Sequence, residues 1–129
     1  MTYKPIGHYG LIGDRHSAAL VGTDGSIDWC CIPRFDSPSI FAGILDDEKG
    51  GDFAITPQGE WSSTHRYISD TNVLETRFET ADGVAIVTDC MPLFESATDP
   101  SGLTVRHQII RMVHCASGKV TRSACSVTP

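Results

Sequence analysis

The chain has 129 residues, 40% apolar and 20% charged, the make-up of one folded globular domain burying roughly two-thirds of its unfolded surface. Its net charge is −6 and its ten basic residues are scattered, which argues against nucleic acid and acidic membranes as partners. No apolar run nears the ~20 residues of a bilayer span, MTYKPIGHYG lacks a basic-then-apolar leader, and a cytoplasmic location is expected.

In chain order, Gly7, Gly10 and Gly13 recur every third residue but fit neither GxGxxG nor a P-loop, and they read as a flexible lead into a first strand. Residues 18–21 (AALV) and 26–32 (SIDWCCI) flank Gly22-Thr23-Asp24-Gly25, a turn with glycine where positive φ is tolerated, and form a hairpin. Alternation along its second strand turns Trp29 toward the core and Asp28 toward solvent or a turn. Cys30 and Cys31 are neighbours on that strand, point to opposite faces and cannot readily share a metal. With Cys90, Cys115 and Cys125 they make an odd number without the spacing of a small secreted domain, so all five read as reduced thiols.

Pro33-Arg34-Phe35-Asp36-Ser37-Pro38 follows as an irregular loop. Its structural reading is a fixed corner in which Arg34 pairs with Asp36 across Phe35, as most such loops are architectural. Its functional reading is a ligand surface: Asp28, Trp29, Arg34, Phe35 and Asp36 offer the aromatic and polar contacts a sugar needs. Residues 39–46 (SIFAGILD) fit the period of a helical turn and of a short strand alike.

Residues 73–80 (VLETRFET) and 84–91 (VAIVTDCM) flank Ala81-Asp82-Gly83 and form a second hairpin. Leu74, Thr76 and Phe78 share one face, Glu75, Arg77 and Glu79 the other. A three-residue loop pairs Thr80 with Val84 and sets Glu75 opposite Asp89, side chains ~5 Å apart with Arg77 nearby. That pair is the local candidate for a glycosidase's two carboxylates; its plain alternative is a solvated charge cluster balanced by Arg77. Glu75 and Glu79, roughly 13 Å apart, are too distant to be that couple.

Residues 103–115 and 119–127 form a third hairpin around Ala116-Ser117-Gly118, with His107 and His114 on opposite faces of its first strand. There is no GxSxG and no paired histidine spacing, and neither a metal nor a cofactor is expected. Short strands between turn signals imply an all-β, antiparallel β-sandwich in one domain, 1–129, whose last residues, 116–129, lack alternation and a closing element.

The motifs Leu11-Ile12-Gly13-Asp14, Ala19-Leu20-Val21, Asp24-Gly25-Ser26-Ile27-Asp28-Trp29, Pro33 to Pro38, Tyr67, Leu74-Glu75-Thr76 and Asp89 to Pro92 occur in that order. In this order the chain resembles the amino-terminal domain of bacterial proteins of the glucoamylase and trehalase class, glycoside hydrolase family 15. The resemblance covers residues 1–95, its motifs running from about residue 5, with a weaker echo in 103–118. It implies the start of a large β-sandwich, whose catalytic glutamates lie on an (α/α)6 barrel that nothing in these residues matches. About half of the usual sandwich is expected, with an altered end such as a truncated or frame-shifted gene gives.

The first functional reading is therefore a non-catalytic module that packs on a catalytic-domain partner or binds glycan, and that forms homo-oligomers through exposed sheet edges. A second is a small stand-alone hydrolase of glycoside, ester or lactone bonds, with Glu75, Asp89 and Arg77 as catalytic candidates on the sandwich or at a dimer interface. A third is a remnant or interaction fragment without a ligand.

Overall fold

A computed structural model describes residues 3–122 and 126–128. Along the chain run β1 (Tyr9–Gly13), β2 (Ala18–Gly22), β3 (Ser26–Cys31), β4 (Ser39–Phe41) and β5 (Asp52–Ala54). Then come β6 (Ser62–Tyr67), β7 (Leu74–Glu79) and β8 (Gly83–Cys90), followed by β9 (Leu93–Glu95), β10 (Leu103–Val105), β11 (Ile110–Gly118) and β12 (Ser126–Thr128). One sheet has the order β1-β2-β3-β5-β12, with β4 also on β3; the other runs β11-β8-β7-β6; β9 and β10 form a small ribbon. Every pairing is antiparallel, and the expected antiparallel sandwich is what forms. Among the described residues, no helix is long and apolar enough to cross a membrane.

The central strands β2 and β3 of the first sheet are buried on both faces, whereas β7 alternates buried and more exposed residues. Ile12, Ala19, Val21, Ile27 and Cys30 of the first sheet pack with Leu74 and Met91, while Ile55, Phe78 and Val87 form a second cluster. Trp61 closes that cluster edge-on against Phe78, ring centroids 5.2 Å apart. Leu74, Thr76 and Phe78 are buried and alternate with more exposed neighbours, as the period-2 pattern requires. Gly10 lies within β1 rather than in a flexible lead, because that strand crosses Leu74: a Cβ there would sit 2.5 Å from a Leu74 methyl.

Both strong hairpins are present, and each hides a one-residue shift that reverses a side-chain expectation. Between β2 and β3 the partners are Leu20 with Trp29 and Val21 with Ile27, so Asp28 is the extra residue of a β-bulge. The bulge puts Ile27 and Cys30 on the core face together, leaves Trp29 half-buried, and buries Asp28, the reverse of the expected Trp29-in, Asp28-out arrangement.

Between β7 and β8, Glu79 pairs with Val84, so Leu74 faces Asp89 and Glu75 faces Thr88. Thr80 sets this register: its amide donates to Gly83 O at 2.9 Å and its hydroxyl intercepts the Gly83 amide at 3.1 Å. A slip of one residue sends Glu75 and Asp89 to opposite faces, and the expected carboxylate couple does not form.

The third hairpin does not form either. The segment 103–115 is broken by a loop in which His107 takes a φ of 54°, and β11 pairs with β8 while β12 pairs with β5. His107 and His114 therefore do not share a strand. Cys125 and part of the atypical end fall outside the described residues. The open segment 39–46 resolves into the three residues of β4 followed by a turn closed by the Leu45 and Asp46 amides on Ala42 O.

Candidate functional site

The turn between β2 and β3 offers its carbonyls to the rest of the fold. Gly22 O accepts from Gly25 N at 3.0 Å and from His65 Nε2 at 3.2 Å, and Thr23 O accepts from the Ser63 hydroxyl at 2.5 Å. Asp24 O takes the Thr56 hydroxyl at 2.7 Å, and Gly25 O takes both Ile55 N at 3.1 Å and Arg111 Nη2 at 2.7 Å. All four carbonyls thus hold another element. Gly25 is required because its φ is +83° and a Cβ would fall 2.0 Å from Ile55 O. Burial holds the His65 imidazole below the usual 6.5 despite its bond to Gly22 O, so it stands there as a neutral donor.

Asp28, turned inward by the bulge, closes a polar clasp on the N-terminal segment. Lys4 Nζ donates to Asp28 Oδ2 at 2.5 Å, to Ser26 Oγ at 2.9 Å, and to Asp24 Oδ2 at 2.9 Å, while Tyr9 OH donates to Asp28 Oδ2 at 2.7 Å. Burial disfavours the charge on Lys4, but its bonds to Asp28 and Asp24 outweigh this and hold the ammonium above its usual 10.5. Burial likewise pushes Asp24 up, and the bonds from Ser26 and Lys4 more than reverse this, holding it below 3.8. Burial and the bond to Asp28 push the Tyr9 phenol well above its ordinary 10.0. Asp24 and Asp28 are two carboxylates on one ammonium, so Lys4 fills the gap where a glycosidic oxygen would have to enter.

The Pro33 to Pro38 loop is fixed through its backbone and the Ser37 hydroxyl, with Arg34, Phe35 and Asp36 exposed. Phe35 N donates to His16 O and Ser37 N to Arg34 O, each at 3.0 Å, and Arg34 N donates to Ser37 Oγ at 3.1 Å. Arg34 and Asp36 pair at 3.3 Å, both more than two-thirds exposed, and Phe35 is 56% exposed. Together with Arg15 and His16 they line an open concavity of about 300 Å³. The five ligand-binding candidates therefore divide: Asp28 lies in the clasp, Trp29 is half-buried opposite Leu20, and Arg34, Phe35 and Asp36 form a surface loop.

The catalytic candidates are dispersed. Glu75 bonds Arg66 at 2.6 Å, and Arg77 bonds Glu79 at 3.0 Å. Asp89 is fully buried and holds Arg111 in a two-pronged pair at 2.6 and 3.2 Å. Arg111 also donates to Phe53 O and Gly25 O, each at 2.7 Å, and its guanidinium lies 4.9 Å from the Phe53 ring centroid. This pair ties β8 and β11 to the opposite sheet, and Asp89 has no room for a substrate. The sequence reading missed Arg111, although Asp89 shares its strand parity with Ala85 and Val87 and so had to be buried and partnered.

The Trehalase-like, N-terminal family matches residues 2–120 of the chain. A trehalase of Mycolicibacterium smegmatis is 34% identical over 129 residues, covering 92% of this chain and 19% of the relative. A trehalase of Mycobacterium tuberculosis is 33% identical over 129 residues with the same coverages, and one of Thermoplasma volcanium is 41% identical over 96 residues, 70% of this chain and 15% of the relative. The chain spans about a fifth, or less, of the length of these relatives. No solved structure gives a significant match. With its motif-bearing turn, bulge and buried pair all inside the matched region, the chain belongs to the trehalase-like N-terminal domain family.

Proposed function

We propose that this chain is a non-catalytic module of a bacterial trehalase-type enzyme of glycoside hydrolase family 15, acting by packing on a catalytic domain. The observation that carries this reading is the employment of its carboxylates: Asp24 and Asp28 hold Lys4, Asp89 holds Arg111, and Glu75 holds Arg66. Each of these four is tied to a basic side chain, and none stands as one of two free carboxyl groups flanking an open gap, which glycoside hydrolysis needs. The stand-alone hydrolase reading has no such support. The free thiols of Cys30, Cys31, Cys90 and Cys115 fit a reducing compartment, and so a cytoplasmic location.

The test is a chimera in which this chain replaces the matching residues of the Mycolicibacterium smegmatis trehalase. Trehalose turnover by the chimera, with none by the chain alone, is the expected result; turnover by the chain alone overturns the reading. Self-association is proposed through β11, which ends its sheet and exposes Met112 and Val113. Light scattering at micromolar concentration should give a multiple of the chain mass, and a monomeric mass removes that part of the proposal.

A further inference from the structure

Beside the clasp lies a concavity of about 220 Å³ between the N-terminal segment, β3 and the loop of residues 42–52. It has room for about seven water molecules, the scale of one sugar ring. Asp28 reaches it from the inner side, Tyr3 and Asp47 from the outer, and Gly43 and Gly51 form a wall without side chains. A Cβ on Gly43 would stand 3.2 Å from Gly51 O and 3.6 Å from Asp28 Oδ1. The same wall is held by Gly43 N on Gly51 O and by Ile44 N on Asp28 O, each at 3.1 Å.

The clasp leaves one strong acceptor over. Lys4 spends its three protons on Ser26, Asp24 and Asp28, and both Lys4 and Tyr9 address Asp28 Oδ2. Among the described residues no donor reaches Asp28 Oδ1, although the side chain is only 7% exposed. Oδ1 is open to the cleft rather than sealed from it, and a charged acceptor holds a hydroxyl donor more strongly than a neutral one does. Asp47 and Asp52 also line the cleft, so a small cation is the competing occupant that the test must separate; at the Asp28 carboxylate itself the Lys4 ammonium, 2.5 Å away, already supplies the positive charge. The Tyr3 ring, 47% exposed, adds an apolar face at the mouth for C–H groups.

We propose that this cleft binds a small neutral polyol of monosaccharide size, one hydroxyl donating to Asp28 Oδ1 and a carbon face lying on Tyr3. The choice of sugar as ligand rests on the reading of the chain as a carbohydrate-enzyme module; the acceptor and the cavity do not. The site is distinct from the Pro33 to Pro38 loop and needs no catalytic domain.

Nuclear magnetic resonance titration of the ¹⁵N-labelled chain with glucose, trehalose and, as a cationic control, ethanolamine tests it. Saturable shifts are expected with glucose or trehalose, confined to residues 3–9, Asp28 and 42–52, and absent with ethanolamine. Gly43→Ala, which fills the wall beside Oδ1, should weaken binding about tenfold while the rest of the spectrum is unchanged. Should that variant fail to fold, Tyr3→Ala, at an exposed position, is the deciding variant and should weaken binding several-fold. Shifts that are absent, scattered, non-saturating, indifferent to the folded variants or larger with ethanolamine overturn the proposal. Turnover of trehalose by the chain alone would instead overturn the module reading, whatever the titration gives.

Discussion

Arg111→Met keeps much of the side chain's bulk and removes its charge and its donors. Asp89, 0% exposed, then carries an uncompensated charge between the sheets, and Phe53 O and Gly25 O each lose a donor. Breaking a buried pair from one side costs about 3–5 kcal/mol. Gly25 O retains Ile55 N, so the carbonyls together add only about 1–3 kcal/mol. A domain of this length has roughly 6–19 kcal/mol in all, and the variant should sit near the edge of folding. Urea unfolding followed by tryptophan fluorescence, with Trp61 packed on Phe78, should show a midpoint lowered by about 2–4 M at a typical slope of ~2 kcal/mol per M. Asp89→Leu with Arg111→Met removes both charges and should recover most of the loss, since an apolar pair can replace a buried ionic one at little cost. A single-variant loss below about 1 kcal/mol, or a double variant as unstable as the sum of the singles, would refute the claim that this pair holds the sheets together.

Two further outcomes follow from the turn and the clasp. Gly25→Ala should prevent folding, because Ile55 O blocks the Cβ, whereas Gly59→Ala, at a φ of +77° with open space around it, should cost only about 1–2 kcal/mol in thermal or urea melts. Stability should fall on acidification in two stages: below about pH 6.5, as unfolded His65 gains a proton that the folded imidazole resists, and again below about pH 3.8, as Asp24 loses its bonds to Lys4 and Ser26. Both groups have depressed folded values, so the stability tied to each is full above its unfolded value and is lost progressively as pH falls from there through the folded value; a melting temperature flat from pH 7 to pH 3 refutes the assignment, and His65→Gln should remove the upper stage only.

What the sequence made legible was everything carried by local period and turn chemistry. The alternation Leu74, Thr76, Phe78 against Glu75, Arg77, Glu79 and the glycines of both hairpin turns lead directly to β2, β3, β7 and β8. Side-chain direction was lost wherever one residue changed the parity. The bulge at Asp28 and the Thr80 hydroxyl at the second turn each moved a set of side chains to the other face, and neither leaves a mark in composition. The remaining misses are long-range: Lys4 meets Asp28 across 24 residues and Arg111 meets Asp89 across 22, and only the pairing of distant elements reveals either. The polar run SSTHRY of β6 has no buried stripe to announce it, because its Ser63 and His65 work as donors to the turn rather than as apolar packing.

The two motif-rich segments, Asp24 to Trp29 and Pro33 to Pro38, differ in how far structure accounts for them. In the first, the carbonyls of Asp24 and Gly25 and the side chains of Asp24, Ser26 and Asp28 all have partners inside the fold. In the second, the fold uses only the Ser37 hydroxyl and the backbone, leaving Arg34, Phe35 and Asp36 to solvent. An exposed ion pair such as Arg34 with Asp36 contributes about 0–1 kcal/mol, and a phenylalanine more than half exposed forgoes most of what its burial would yield. Stability therefore gives little reason for these three side chains, whereas the proposed packing on a catalytic domain would give one. Replacing all three by alanine should change the melting free energy of the isolated chain by no more than about 1 kcal/mol, yet lower trehalose turnover or assembly of the chimera markedly. If the triple variant instead loses more than about 2 kcal/mol while an intact chimera turns over normally, the loop is a structural corner after all, and the packing surface must be sought on the uncovered face of β11.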